Sequence, residues 1–508
     1  MSRYRRRFLQ TLAGGSVLLA GCTELAAVDG DAGRSPAQGD DTSNGSSETD
    51  ESDELTEQAD SRTLATNPTV VEFETAPLTA AVTGRVRTAD GLMMALDFDE
   101  PATSSSPATL TAIIANMRSY EQTFEPDRLV VLDELVASRS PGDRDAVYLA
   151  PAEAHPLAET TPEYDRDDDG RWRLTSPSGD WFPETITLEA DQRISAEYYL
   201  LGHHQPGTQP IEDRRYRFNY GENSFEIAIW PTEQPGPNGD STFAGTTVPP
   251  LPDRDDVRWY HEATPETPVF LEPSRESVTA PARIEFSLVN HARERLSGNP
   301  YQWRLYKLVD GAWHHIAPWM TPQPLSWVTP GAIDDSELVV YAGEPITHQG
   351  ERTVGFLGGG QYAYTVGYSV DSETHAALVE LDAPDLHVDP EADAVVDDAR
   401  SDGTERVVRL PNYADARRPA TVTVSRVGSP SAGAASTADA RVIPEQLPRP
   451  SFRAFRNSLP LFGDDVERVQ VRTDRSTALR WFDFESDTTH TIAYEGDLFE
   501  ATASLEST

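Results

Sequence analysis

From residue 67 onward the chain is written in short alternating runs with turn residues between them, and that period sets the fold class. Residues 70–74 and 81–87 alternate or nearly so, and Asp90-Gly91 between two such runs is a hairpin signal. Further runs fall at 109–116, 129–132, 171–174, 185–188, 196–201, 216–220 and 225–230. No segment of this region holds a 3.6-residue period long enough for a long helix. Many short strands at ~10-residue spacing predict an antiparallel sandwich over residues 67–233.

Residues 234–263 are rich in Pro and Gly and read as a linker or long loop. A second β-domain is expected over 264–385, and it echoes the first. Residues 110–116 (LTAIIAN) correspond to 284–290 (IEFSLVN), and Asp169-Gly170-Arg171-Trp172 to Asp310-Gly311-Ala312-Trp313. Residues 187–190 correspond to 328–331, and 215–218 to 361–364, in the same order. A tandem repeat is a reasonable expectation. The strand ending in Asn290, the aromatic stretch 303–307, the turn before Trp313, Thr329-Pro330-Gly331 and the Gly358–Tyr362 run resemble bacterial immunoglobulin-like domains of secreted and lipoprotein surfaces. A related architecture occurs in small secreted proteinase inhibitors, which the first copy faintly resembles. Neither resemblance brings catalytic residues. The fold expected is therefore mainly β, with two tandem immunoglobulin-like antiparallel β-sandwich domains and a small C-terminal α+β unit.

Residues 386–403 are acidic and read as a second linker, with the α+β unit over 404–508. Within that unit, 406–410, 420–427, 468–473, 478–484 and 489–503 read as strands. Phe452, Phe455, Leu459 and Phe462 recur at three or four, which predicts a short helix between Pro450 and Pro460.

The start of the chain is of another kind. Arg5-Arg6-Arg7-Phe8-Leu9, a short apolar run and Leu19-Ala20-Gly21-Cys22 make a secretory signal over residues 1–22. The paired Arg5 and Arg6 resemble the twin-arginine export signal, with Tyr4 where that signal usually has Ser or Thr. Residues 19–22 resemble a lipobox, in which the cysteine carries a lipid, so Cys22 is the expected attachment site. Cys22 is the one cysteine in the chain, which excludes an internal disulfide. Residues 23–66 hold 12 acids and almost no large apolar side chain, and are expected to be a disordered acidic stalk. The localisation implied is the extracellular face of the cell membrane, lipid-anchored.

The formal charge is −42, and every basic side chain but Lys307 is Arg. Such a charge repels itself at low ionic strength and is screened at molar salt, where the Debye length is ~3 Å. Together with the export signal, the acidity resembles proteins of salt-loving archaea. It also argues against nucleic acid as a partner, because phosphate binding needs a basic patch.

Candidate sites are few. Asp165, Asp167, Asp169 and Gly170 match the start of an Asp-x-Asp-x-Asp-Gly calcium loop. The twelfth position is Ser176 rather than Glu and strands flank the loop, so a solvated acidic hairpin is preferred over possible calcium. Asp180 or Glu184 could complete a non-helical site. The pairs His203-His204 and His314-His315 are read as strand neighbours pointing to opposite faces, which cannot chelate together. Trp303, Trp313, Trp319 and Trp327 crowd one stretch with Tyr301 and Tyr306; a sandwich core is preferred, and Trp313 and Trp319 are the candidate ligand-facing aromatics. Gly358-Gly359-Gly360 precedes a strand and reads as a tight turn. No cofactor and no catalytic motif is recognised. The function expected is a surface-anchored binding or scaffolding module for a cell-envelope protein or glycan, not an enzyme. The alternatives are a secreted-type proteinase inhibitor and a hydrolase with an unrecognised site.

Overall fold

The computed structural model describes residues 68–506 apart from 85, 127–128, 130–146, 169, 176–180, 205–210, 221–222, 253, 255, 370–372, 399–402 and 429–437. The signal and lipid-attachment residues Arg5, Arg6 and Cys22, the stalk 23–66 and most of the run 129–132 lie outside the described residues. The described residues form one compact unit. Its architecture is mainly β, and its interior is divided among three large apolar cores.

The first core is built from strand alternation. In Leu92–Glu100 the side chains of Leu92, Met94, Leu96 and Phe98 are buried and the residues between them are not. This strand pairs antiparallel with Ala108–Asn116, which pairs antiparallel with Arg193–Gly202. The opposing sheet runs Val71–Glu72, Leu78–Thr83, Asn223–Pro231, Arg215–Tyr220. Rings of Phe218 and Phe225 stack across its last hairpin at 4.9 Å. Burial of each such side chain contributes ~1.5–3 kcal/mol.

The second core repeats the plan. Ala282–Asn290 is flanked antiparallel by Val269–Pro273 and Ile333–Val340. The facing sheet contains Thr374–Asp382, Gly360–Thr365, Arg304–Val309 and Ala312–Ala317. Phe286 and Tyr364 stack between the two sheets, centroids 4.0 Å apart, and Trp303 lies against Tyr364 at 5.8 Å.

The correspondence between the sandwiches is most exact at one asparagine. Asn116 and Asn290 each end a nine-residue strand and are buried. Asn116 Nδ2 donates to the carbonyls of Tyr120 and Glu189, and its Oδ1 accepts from the Arg118 amide. Asn290 Nδ2 donates to the carbonyls of Glu294 and Val328, and its Oδ1 accepts from the Ala292 amide. Each tie closes the strand end onto a short antiparallel pair, Gln122–Phe124 with Ile186–Leu188 and Leu296–Gly298 with Ser326–Val328. The proposed match of Trp172 with Trp313 does not follow this plan. The hairpin of Trp172 extends the sheet of Ala108–Asn116, whereas that of Trp313 lies in the sheet opposite Ala282–Asn290. A turn followed by Trp marks a hairpin but not the sheet it joins.

The expected linker 234–263 belongs to the second sandwich. It crosses the outer face of a sheet, where Leu251 is buried with Trp259, Tyr306 and Trp313. Val257–Trp259 then pairs parallel with Thr374–Ala376. Proline removed the alternating pattern, and packing took its place.

The acidic stretch 386–403 is likewise not a free linker. Val388 enters the third core, and Val395–Asp398 is the edge strand of a seven-stranded mixed sheet. One-turn helix Arg453–Arg456, between two 3-10 turns, places Phe452, Phe455 and Leu459 in that core. Residues 478–484, expected as a strand, begin inside the short helix Arg475–Leu479. Asp474 caps it, accepting from the Thr477 amide at 3.0 Å. A local cap overrode the alternating pattern there.

Between the sandwiches, Arg215 Nη1 donates to the Gly331 carbonyl and the Trp230 ring stacks on His291 at 4.9 Å. Gly331 has φ +75° and no room for a side chain, since a Cβ would stand 2.9 Å from that of Ala228.

Candidate functional site

The two candidate ligand-facing aromatics, for which a core place was preferred, differ from each other. Trp313 is a core residue. It is 5 % exposed, its Nε1 donates to the Pro249 carbonyl at 2.8 Å, and Trp259 stacks on it at 6.0 Å. The strap 234–263 covers the face on which a ligand would have to lie, so the reading of Trp313 as ligand-facing is corrected. Trp319 is half-open. Its Nε1 donates to the Ile316 carbonyl, and its ring meets His315 and Phe452 edge-on at 4.7 and 5.4 Å. It is a wedge between the second sandwich and the C-terminal unit, with one edge in water.

The exposed aromatic surface lies beside it. Tyr301 is 50 % exposed, Met320 88 %, Leu325 66 % and Trp327 48 %. All sit on segments that leave the sandwich near its Asn290 end. Asn299, itself buried, donates from Nδ2 to the Pro322 carbonyl at 2.6 Å, while its Oδ1 accepts from the Tyr301 amide. Arg304 Nη1 donates to the Pro318 carbonyl at 3.2 Å. Trp327 is paired in register with Ser297, and the Arg295 guanidinium lies 5.2 Å over its ring. The two loops, 299–303 and 318–325, are therefore tied to each other and to a three-stranded sheet. Their apolar side chains are held outward on a fixed frame rather than left on a loose loop. Large apolar side chains exposed on a strongly acidic protein are, where contiguous, the kind of surface that marks an interaction site.

Tyr301 and Trp327 were visible in the sequence as members of the aromatic stretch. Met320 and Leu325 were missed. The signal available was their setting: Met320 lies inside the Pro-rich run 318–324 and Leu325 directly after it, where prolines break strand pairing.

At the calcium-like loop the structure shows an arginine-clasped hairpin. Asp165 stands opposite Arg173 in register. Asp167 Oδ1 accepts from the Arg171 amide at 2.8 Å, and its Oδ2 pairs with Arg173 Nε at 2.5 Å. Arg166 Nε donates to the Gly170 carbonyl. Asp169 lies outside the described residues. A hard cation at Asp167 would have to displace Arg173. Among the described residues no three His, Cys, Asp or Glu side chains converge as a metal cluster.

The histidine pairs also differ from one another. His203 and His204 lie beyond the end of their strand, so alternation does not apply, and their rings stack at 4.2 Å on the same side. Burial and the neighbouring His204 push the His203 imidazole down. His314 and His315 do take opposite faces. His314 lies near Arg441, Glu445 and Asp310, and His315 packs between Tyr306 and Trp319. Gly358-Gly359-Gly360 is a close-packed turn, where a Cβ on Gly359 would stand 2.7 Å from the Ala383 carbonyl oxygen.

The fold defines a mainly β protein of sandwich domains. No protein-family model matches the chain, and no curated protein matches it. Among solved structures it is similar to the native conformation of E. coli alpha-2-macroglobulin at 10 % identity and a TM-score of 0.13, covering 69 % of this chain and 20 % of that one. The chain thus spans about a fifth of that protein's length, and a likeness this slight carries no argument.

Proposed function

We propose that this chain is a surface-anchored binding or scaffolding lipoprotein, held to the extracellular face of a membrane through Cys22. Its recognition surface is the Tyr301, Met320, Leu325 and Trp327 cluster. The observation that carries the reading is that exposed Tyr301, Met320 and Leu325 stand on loops pinned by Asn299 and Arg304, and exposed Trp327 on the strand Ser326–Val328 that follows. A rigid aromatic surface loses little side-chain entropy on binding, because Tyr and Trp have few rotatable bonds. The partner is a cell-envelope protein or glycan, for which aromatic faces and a guanidinium supply stacking and donors. The acidity suits work at high salt, where ionic attraction is screened and apolar contact is not.

The test is retention of a cell-envelope component by the lipid-free chain at molar salt. Retention without turnover is expected. Hydrolysis of a peptide, ester or glycoside that one acidic or His substitution abolishes, with the fold intact, would establish the hydrolase alternative instead. Anchoring is checked separately. Cys22→Ser is expected to release the protein from membranes or leave it unprocessed, and unchanged fractionation with the same processed mass would refute the lipid.

A further inference from the structure

The chain holds a single lysine, and that lysine is buried. Lys307 lies on Arg304–Val309 of the second sandwich and is 9 % exposed. Its Nζ meets Glu445 Oε1. Glu445 is 3 % exposed and sits on the turn Pro444–Gln446, which leads into the C-terminal unit. The same Oε1 accepts from the Gly358 amide at 3.2 Å. The Tyr362 ring walls the site, its centroid 5.6 Å from Nζ, and its hydroxyl donates to the Gly358 carbonyl at 2.7 Å. Gly358 has to lack a side chain, because a Cβ there would lie 2.7 Å from Glu445 Oε1 and 3.2 Å from Lys307 Nζ. Arg449 adds a second, half-buried cation, donating from Nε to the Glu445 carbonyl and from Nη2 to the Gly355 carbonyl.

Two features make this more than an ion pair. Every other cationic side chain in the protein is arginine. Arginine is the better partner for a buried carboxylate when only an ion pair is required, since its planar fork binds both oxygens and is more weakly hydrated. What lysine offers instead is an amine that becomes a nucleophile once it loses its proton. The site is also costly as an ion pair. Desolvation costs several kcal/mol per ion, and it falls away if both charges are removed.

We propose that Lys307 and Glu445 condense to an amide, closing the joint between the second sandwich and the C-terminal unit covalently. A proton passes within the pair from Nζ to the carboxylate, leaving an amine and a carboxylic acid. The Nζ lone pair adds to Glu445 Cδ. The negative charge gathers on Oε1, where the Gly358 amide already donates. The C–Oε2 bond breaks, and the hydroxyl takes a proton from the nitrogen and leaves as water. The step is redox-neutral and needs no co-reactant. Holding the two groups in contact supplies effective molarities of ~10⁵ M or more for such intramolecular reactions.

The test is peptide mapping of the purified full chain after complete denaturation, with a protease that cuts after Lys and Arg. Cutting at residue 307 requires a free amine. The expected result is no cleavage there, and a branched peptide joining the segments around Lys307 and Glu445 whose mass is short by one water. Lys307→Arg should give the two segments unlinked, and Gly358→Ala, which crowds both groups, should lower the linked fraction. Cleavage after Lys307 in the wild-type chain, with both segments at full mass, would reduce the contact to an ion pair and overturn the proposal. The wild-type digest decides even if the variants fail to fold.

Discussion

His375 is 1 % exposed, and neither ring nitrogen has a hydrogen-bond partner among the described residues. Burial pushes its imidazole down to about 4, and does the same for His155 and His315. Unfolded, each titrates near its ordinary 6.5. As pH falls below that value the unfolded chain takes up protons that the folded chain refuses, so the stability these groups contribute is present above 6.5 and is lost toward 4. For His375 the full effect is on the order of 3 kcal/mol, at ~1.4 kcal/mol per pH unit. The thermal midpoint at fixed molar salt should fall steadily from pH 7 to pH 5, and His375→Leu should flatten the slope. A midpoint flat over that range would show that these rings titrate alike in the folded and the unfolded chain. At this scale the sequence was partly legible. Asn116 and Asn290 could be aligned because each closes a strand of the same length. A core place for Trp313 was the preferred reading, but the segment that covers it could not be read, because it comes from a Pro-rich run with no period of its own.

Elements were legible where one face is dry. Leu92–Glu100 and Ala282–Asn290 alternate because one side faces a core and the other does not. The edge strand Val395–Asp398 carries exposed Val395 and Val396 among acids, so nothing in its composition separated it from a linker. Helix Arg475–Leu479 is too short to show a period and rests on its cap. Asp474 accepts from Thr477, and also from Asn412 Nδ2. Asp474→Ala should cost ~1 kcal/mol in denaturant unfolding. A loss confined to the C-terminal unit would be seen as an earlier transition of Trp481 fluorescence, since Trp481 packs on Phe455 and Phe482 within that unit. No change on Asp474→Ala would mean the helix is held by Ala478 and Leu479 burial alone.

For the whole molecule, charge and packing act against each other. The formal charge of −42 is tolerated where salt screens it. Lowering salt from molar to ~0.1 M lengthens the Debye distance to ~10 Å, and carboxylates on neighbouring strands then repel. Structure should be lost at the lower salt, as followed by circular dichroism, and recovered on adding salt back. Identical melting at both salts would remove the link between acidity and working conditions. Two sandwiches and a small C-terminal unit were expected from the strand runs. That the connecting segments are built into their cores was not, because they carry packing without carrying a pattern.

The most direct measurement compares three forms of the lipid-free chain for retention of cell-envelope material at molar salt. These are the wild type, Tyr301→Ser with Trp327→Ser at the aromatic loop end, and Val395→Ser with Val396→Ser on the exposed edge of the third sheet. The wild type and the edge variant should retain the same component and the loop-end variant should lose it, with all three melting alike. Undiminished retention by the loop-end variant would contradict the assignment of the recognition surface.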